Sequence, residues 1–414
     1  MLSVKEAETI ICDLLQPLDS KQDRETVNLW AVDHRILVDS VSSSLDFPHW
    51  DNSAMDGYAV CYSDVQQASE ENPTVLTIVE EIPAGSQPQV RIRPGEAARI
   101  FTGAVIPLGA DTVVMQEKTR REENRVFILA APQPREFIRY QAAFYRAGEQ
   151  LLPAGIRLQA PEIAILAAAQ CHQVNVFRRP KVAIFSCGDE LVTPDQPLKF
   201  GQIVDSNLYA LAALVKELGA EPLILGIVKD EPRALQETIA QAINQSDLIL
   251  STGGVSVGDY DYIHQVLASL NAQIHFRSVK MRPGKPLTFA TFPNKQVAYF
   301  GLPGNPVSAL VTFWRFVKPA IAKISGLRSG WEAQFIQVRS AGELKSPGHL
   351  ETYIWGKLQL NNGIYEFHPA FGQHSSGNLI NLSQTNALAV LPIGQTFIAP
   401  QENVLVLMIG FFVN

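Results

Sequence analysis

"DLILSTGGVSVGDYDYIHQVLASL", residues 247–270, passes from a short apolar run through a glycine-rich loop into an amphipathic segment. Strand, tight loop and helix in that order form the unit from which parallel sheets are built. Similar units flank it. "VAIFS" (182–186), "PLILGIV" (222–228) and "DLILS" (247–251) read as strands, with "NLYALAALVKEL" (207–218), "PRALQETIAQAI" (232–243) and "DYIHQVLASL" (261–270) as helices. Strand-like "QIHFRSVKM" (273–281), "LTFAT" (287–291) and "VAYF" (297–300) follow, and "PVSALVTFWRFVKPAIAKI" (306–324) closes the series as a helix. The expectation is an α/β domain over residues 180–326 with a mostly parallel sheet.

The flanks read differently. Residues 1–175 are expected to have helical parts at 1–25 and 145–175, the latter containing "APEIAILAAAQC", around a β-rich insert at about 27–140. That insert holds "TVLTIVEEI" (74–82), "EAARIFTG" (96–103), "DTVVMQE" (111–117) and "RVFILA" (125–130), broken by Pro and Gly. Residues 331–414 alternate in strand fashion ("YIWGKLQL", "NALAVLP", "ENVLVLMIGFF"), which suggests a small β domain. The whole is a multidomain α/β chain, and 414 residues are more than one core usually serves.

A formal charge of −7 argues against a nucleic-acid partner held by a whole-protein basic field. Any anionic ligand must therefore meet a local cluster of cations. Four cysteines (Cys12, Cys61, Cys171, Cys187) form no CxxC pair, which suits a reducing compartment, with the cytoplasm as the expected location. "MLSVKEAETIICDLL" lacks a signal-peptide core, and "VLVLMIGFFV" is about half a membrane span, so no membrane segment is expected.

In an open parallel sheet, ligands bind at the carboxyl ends of the strands. Polar and glycine-rich stretches follow the expected strands there: Cys187-Gly188-Asp189-Glu190, Lys229-Asp230, Thr252-Gly253-Gly254-Val255-Ser256-Val257-Gly258-Asp259, Arg282-Pro283-Gly284-Lys285 and Gly301-Leu302-Pro303-Gly304-Asn305-Pro306. Gly253, Gly254 and Gly258 permit positive φ and close backbone approach, so amide N–H groups can face a phosphate; a plain strand-to-helix turn is the alternative. No Lys-Ser/Thr follows the last glycine, so this is not a Walker loop. Arg282 and Lys285 supply the local positive charge instead. Glu190, Asp230, Asp259 and Asp261 on the same edge suggest a divalent cation, most simply Mg²⁺, against the alternative of first-turn carboxylates. Cys187 reads as a small buried strand-end residue with no base nearby in sequence, and the eight histidines show no ligand spacing. Asp56-Gly57 in "NSAMDGYAV" and Thr102-Gly103 in "RIFTGAVIPLGADTVVMQE" could by themselves be a turn and a hairpin corner.

Taken in order, "NSAMDGYAV", "RIFTGAVIPLGADTVVMQE", "CGDEL", "GQIVDSN", "STGGVSVGDYDY", "RPGKP" and "GLPGNPVSAL", with fainter "FGQHSSGNL" and "NALAVLP", resemble the molybdopterin molybdenumtransferase family, the MoeA and gephyrin E-domain type. The resemblance covers residues 47 to about 395. It implies an α/β molybdopterin-binding domain, a β-rich N-terminal insert and a C-terminal β domain, in a homodimer whose active site lies in a cleft between subunits. The implied reaction inserts molybdate into adenylylated molybdopterin, uses Mg²⁺ and releases AMP, the substrate coming from a molybdopterin adenylyltransferase in transient contact. Asp56, Thr102, Glu190, Asp230 and Asp261 match the family's active-site positions. Arg282 stands where a basic residue is found, and Pro303 and Pro306 match its proline loop. The carboxylates Glu190, Asp259 and Asp261 would hold Mg²⁺, while Gly253, Gly254, Ser256, Gly258, Arg282, Lys285 and Asn305 would bind the pterin phosphate and its surroundings.

The chain departs from the family pattern at three places. Ala142-Ala143-Phe144 stands where a Gly-Glu-Asp triplet is usual, Trp355 where an arginine is expected, and Leu208 where arginine is common. A pterin-binding or scaffolding paralogue with the same fold and reduced or lost turnover is therefore the alternative expectation.

Overall fold

The computed structural model describes residues 1–254 and 262–410. They form two compact units, one of residues 1–39, 154–163 and 173 onward, the other of residues 40–153 and 164–172.

The first unit is built around a six-stranded sheet in the order Glu221–Val228, Lys181–Cys187, Leu248–Thr252, Val297–Leu302, Pro286–Phe292, Gln273–Ser278. The first four strands run parallel, Pro286–Phe292 runs against them, and the edge strand Gln273–Ser278, antiparallel to that one, runs with the first four, so the sheet is mostly parallel. Alternate residues feed opposite cores, as the two-residue period of a strand demands. Val182, Ile184, Leu248, Leu250, Phe289 and Phe300 pack with Leu208, Leu211 and Val215 of helix Asn207–Glu217. Ala183, Phe185, Ile249, Ala290 and Tyr299 pack on the other face with Leu235, Ile239 and Ala242 of helix Pro232–Gln245 and with Ile263 and Leu267 of helix Tyr262–Ser269. Leu208, one of the departures, is thus a core residue.

Of the stretches expected to be helical at the N-terminal side, helices occupy Val4–Leu14 and Ala160–Ala168. The rest of the 145–175 stretch is not helical and includes strand Gln150–Leu152, while strand Arg24–Asn28, which starts at the end of the 1–25 stretch, pairs antiparallel with Gln173–Phe177. A capping box starts the first helix: the Ser3 hydroxyl accepts from the Glu6 N–H, and the Glu6 carboxylate accepts from the Ser3 N–H. Its Val4, Ala7 and Ile11 enter the same core as Leu407 and Ile409. Glu8 receives both terminal nitrogens of Arg315, at 2.7 and 2.8 Å, and Arg315 Nε donates to the Tyr353 hydroxyl.

The C-terminal strands Glu351–Asn361, Ile364–Pro369, Phe335–Ser340, Asn403–Met408 and Ala387–Leu391 pair in that order, and the last pairs back with the first. The ring closes into a five-stranded barrel, which removes the exposed edges of an open sheet. Ile354, Leu358, Phe367, Ala389 and Val406 fill it, while Tyr353, Trp355, Leu388 and Val390 turn outward into the core shared with the α/β domain. Met281–Arg282 adds to strand Glu351–Asn361 in parallel, Arg282 level with Thr352.

The second unit holds a six-stranded sheet in the order Thr112–Met115, Gly57–Val60, Glu96–Ile100, Thr74–Ile82, Arg125–Ile128, Thr119–Glu122. Gly57 lies between two partners, where a Cβ would fall on the Val114 carbonyl oxygen. Phe144 is 74% exposed in this unit.

Candidate functional site

Register sets the α/β edge. Cys187 is level with Val228, Ser186 with Thr252, and Thr252 with Leu302, so four strands end together. The remaining two strands contribute as well: Gln273–Ser278 ends and the reversed Pro286–Phe292 begins at this same edge, Ser278 paired with Pro286, which places the 279–285 loop there. Glu190, Asp230, Gly253, Gly254, Pro303, Asn305, Pro306, Arg282 and Lys285 are therefore all carried on loops of one sheet edge.

Gly253 has φ +81° and Gly254 φ +65°, the left-handed conformation expected of the glycine loop. A Cβ on Gly253 would fall on the Cys187 carbonyl oxygen, so the loop lies against the neighbouring strand end. Ser256, Gly258, Asp259 and Asp261 lie outside the described residues. Asn305 precedes helix Pro306–Thr312 and makes no side-chain cap bond, while the Gly304 carbonyl accepts from Asn207 Nδ2 at 2.8 Å.

The Cys187 thiol donates to Asp230 Oδ1 at 2.5 Å, a contact that 43 residues of separation hide from sequence reading. Burial, then the bond to Asp230, pushes the thiol well above its ordinary pKa. A protonated, buried thiol is a poor nucleophile, in keeping with a packing role. Iodoacetamide at about pH 8 is accordingly expected to leave Cys187 unlabelled in the native chain and to label it after denaturation, read by peptide mass mapping. Native labelling at a rate equal to the denatured chain would contradict this.

Glu190 is exposed, and its carboxylate has no hydrogen-bond or ion-pair partner among the described residues. Two further acceptors at this edge, Asp205 Oδ2 and Asn207 Oδ1, are buried without a hydrogen-bond partner among the described residues. Asp205 Oδ1, in contrast, caps the helix by accepting from the Asn207 and Leu208 N–H groups. "GQIVDSN" signalled these residues, but nothing in their spacing assigns them a role. Oxygen-only donors of this kind suit a hard divalent cation. No group of three or more His, Cys, Asp or Glu placed to hold a metal occurs among the described residues.

Arg282 and Lys285 are exposed, with no carboxylate partner among the described residues, and line a cleft of about 860 Å³ between the α/β edge and the barrel. Asn305 and Ser308 line it from the α/β side, and Lys345, Ser346, His374 and Ser375 from the barrel side. Sequence reading missed the barrel wall, whose sole signal was the faint "FGQHSSGNL". The His374 ring lies 4.5 Å from that of Trp355. Its Nε2–H donates to the Ala370 carbonyl, and burial lowers its pKa, which favours the neutral imidazole. Trp355 is 2% exposed and donates from Nε1 to Asn381 Oδ1, so it is a packing residue.

In the second unit, Asp56 and Thr102 are brought together across 46 residues. Asp56 Oδ1 accepts from the Thr102 N–H at 2.8 Å and from its hydroxyl at 2.7 Å. The backbone bond, then the hydroxyl, holds the Asp56 carboxyl below its usual pKa and keeps it ionised. Ala142 has φ +59° in the departed triplet, and the Phe144 N–H donates to the Phe47 carbonyl.

Glycines, carboxylates and cations with no carboxylate partner among the described residues gather at the carboxyl edge of a wound sheet, the arrangement of an α/β enzyme, here joined to a β-insert and a barrel. No helix among the described residues is long and apolar enough to cross a membrane. Three family models match in succession: the MoeA N-terminal region (domains I and II) over residues 2–169, a probable molybdopterin binding domain over 183–323, and the MoeA C-terminal region (domain IV) over 337–409. The molybdopterin molybdenumtransferase of Nostoc sp. strain PCC 7120 is 65% identical, over 99% of this chain and 94% of its own length. That of Haemophilus influenzae is 36% identical, over 88% of this chain and 86% of its own. The crystal structure of the molybdopterin biosynthesis MoeA protein from Pyrococcus horikoshii superposes with a TM-score of 0.84 at 29% identity, covering 99% of this chain and 100% of that one. The chain belongs to the MoeA family of molybdopterin molybdenumtransferases, enzymes of molybdenum cofactor biosynthesis.

Proposed function

We propose that the chain inserts molybdate into adenylylated molybdopterin, with Mg²⁺, and releases AMP. The observation that carries this reading is the convergence of Arg282 and Lys285, without a carboxylate partner among the described residues, with Glu190, Asp230 and the Gly253-Gly254 backbone on one sheet edge. Arg282, Lys285 and the glycine amides hold the pterin phosphate and neutralise the charge of its anhydride oxygens. An oxygen of water or molybdate bonds to the adenylyl phosphorus, the P–O bond from that phosphorus to the pterin phosphate breaks, AMP leaves with the new oxygen, and the pterin keeps its own phosphate. Glu190, with Asp259 and Asp261, would hold Mg²⁺, which supplies charge neutralisation at those oxygens when bound. Asp56, fixed as an anion by Thr102, and Asp230 orient the dithiolene and molybdate. Catalysis of this kind depends on positioning more than on a covalent nucleophile, which fits the silence of Cys187.

The reading carries with it a homodimer, a transient contact with the adenylyltransferase that supplies the substrate, and regions bounded at 1–175, 180–326 and 331–414. A second reading, a pterin-binding scaffold, is favoured by one observation: Ala142, Ala143 and Phe144 provide no carboxylate where the resemblance expects one. A single-turnover assay with adenylylated molybdopterin and Mg²⁺ separates them. Molybdate-dependent AMP release is expected; tight substrate binding with no AMP release would establish the scaffold instead.

A further inference from the structure

Beside the Asp56–Thr102 pair stands a cation to which the proposed chemistry assigns no task. Arg99 lies on strand Glu96–Ile100, next to the strand that Gly57 begins, with Tyr58 level with it. Its guanidinium carbon is 5.1 Å from the Tyr58 ring centroid and 5.0 Å from that of Phe101, so aromatic faces hold it, with no salt-bridged carboxylate among the described residues. From that position Arg99 Nη1 donates to the Gly57 carbonyl at 3.2 Å, and Nη2 to Gln116 Oε1 at 2.6 Å. The Gln116 backbone N–H in turn donates to the Asp56 carbonyl at 3.1 Å. Arg99 thus grips the Asp56-Gly57 backbone twice, directly at Gly57 and through Gln116 at Asp56. Its charge also favours the ionised Asp56 carboxyl, behind the two Thr102 bonds.

We infer that Arg99 and Gln116 form a positioning bracket for Asp56. This deepens the proposed function and rests on it. A carboxylate at the start of a strand has its side-chain direction set by backbone orientation, and Thr102 fixes only the oxygen end. The bracket fixes the main-chain end, so Asp56 is held at both ends before any ligand arrives. An arginine is needed because only a planar fork can serve a carbonyl and an amide oxygen while stacked between two rings. Lysine keeps the charge and loses the second bond.

A double-mutant cycle on the full chain tests this, using Arg99→Lys, Asp56→Asn and both together, with single-turnover AMP release as readout and thermal melting as the folding check. Arg99→Lys is expected to lower the maximal rate about 10- to 100-fold with KM changed less than about twofold, and to have almost no further effect once Asp56→Asn is present. A residue that merely supports the sheet would cost the same in both backgrounds, and that result overturns the inference while leaving the reaction intact. AMP release by Asp56→Asn equal to that of the unsubstituted chain overturns the underlying reading and the inference with it. Should Arg99→Lys fail to fold, Gln116→Leu carries the same cycle, since it removes one arm of the bracket and leaves Arg99 stacked.

Discussion

Replacing Arg282 and Lys285 together by methionine is expected to raise KM for adenylylated molybdopterin by roughly 10²- to 10⁴-fold, two charge-assisted hydrogen bonds at about 1.5–3 kcal/mol each. Stability should hardly change, because neither side chain has an ion-pair partner among the described residues to leave behind. Methionine keeps much of the apolar stem of both residues, so packing along the cleft wall largely survives. The single substitutions should each give about half the effect in free energy, and the KM of the unsubstituted chain should rise with ionic strength more steeply than that of the double variant. Steady-state AMP release across a salt series checks all three statements. An unchanged KM in the double variant would remove this cleft from the substrate path.

Gly253→Ala is expected to be the most damaging single change of the glycine loop. Its φ of +81° is costly for alanine, and the new methyl would overlap the Cys187 carbonyl oxygen, a backbone atom that cannot swing aside. The strand end must shift, at about 2–4 kcal/mol of stability, and a displaced loop should lower AMP release about 100-fold. Gly254→Ala makes the informative contrast. Its methyl would meet Ile263 Cδ1 at 2.7 Å, the far end of a flexible side chain, so its stability loss should be about 1 kcal/mol. Urea unfolding and single-turnover rates on both variants provide the measurement; equal losses would show that the contact with Cys187 is not what constrains the loop.

How much of this could be read beforehand follows from the range over which each signal acts. Strands such as Leu248–Thr252 and helices such as Pro232–Gln245 show themselves through local periodicity, and the positive φ of Gly253 through residue type. That Arg282 and Lys285 stand on the glycine loop's edge followed from the strand order, which the register bears out. Barrel closure was not legible, because Glu351–Asn361 must find Ala387–Leu391 on one side and Ile364–Pro369 on the other, and alternation says nothing of partners. Contacts across long separations were equally hidden: Cys187 with Asp230, and Arg99 with Gly57 and Gln116. Trp355 shows the limit of motif comparison. Its place in a pattern marked it as a missing charge, whereas its burial and its bond to Asn381 make it part of the wall. Asp259 and Asp261, weighed as metal ligands, lie outside the described residues.

The helix Val4–Leu14 shares one core with Leu407 and Ile409 and gives its Glu8 to Arg315. During synthesis that helix emerges early, while the surface that receives it is completed only when the barrel strands have left the ribosome. Its apolar stripe must therefore wait, uncovered, through the making of almost everything else. Arg282 shares this timetable, since strand Glu351–Asn361, against which it is paired, is a late product too. The cationic wall of the cleft is accordingly among the last parts of the molecule to take shape, and a chain stalled before the barrel would carry the α/β sheet without a finished site.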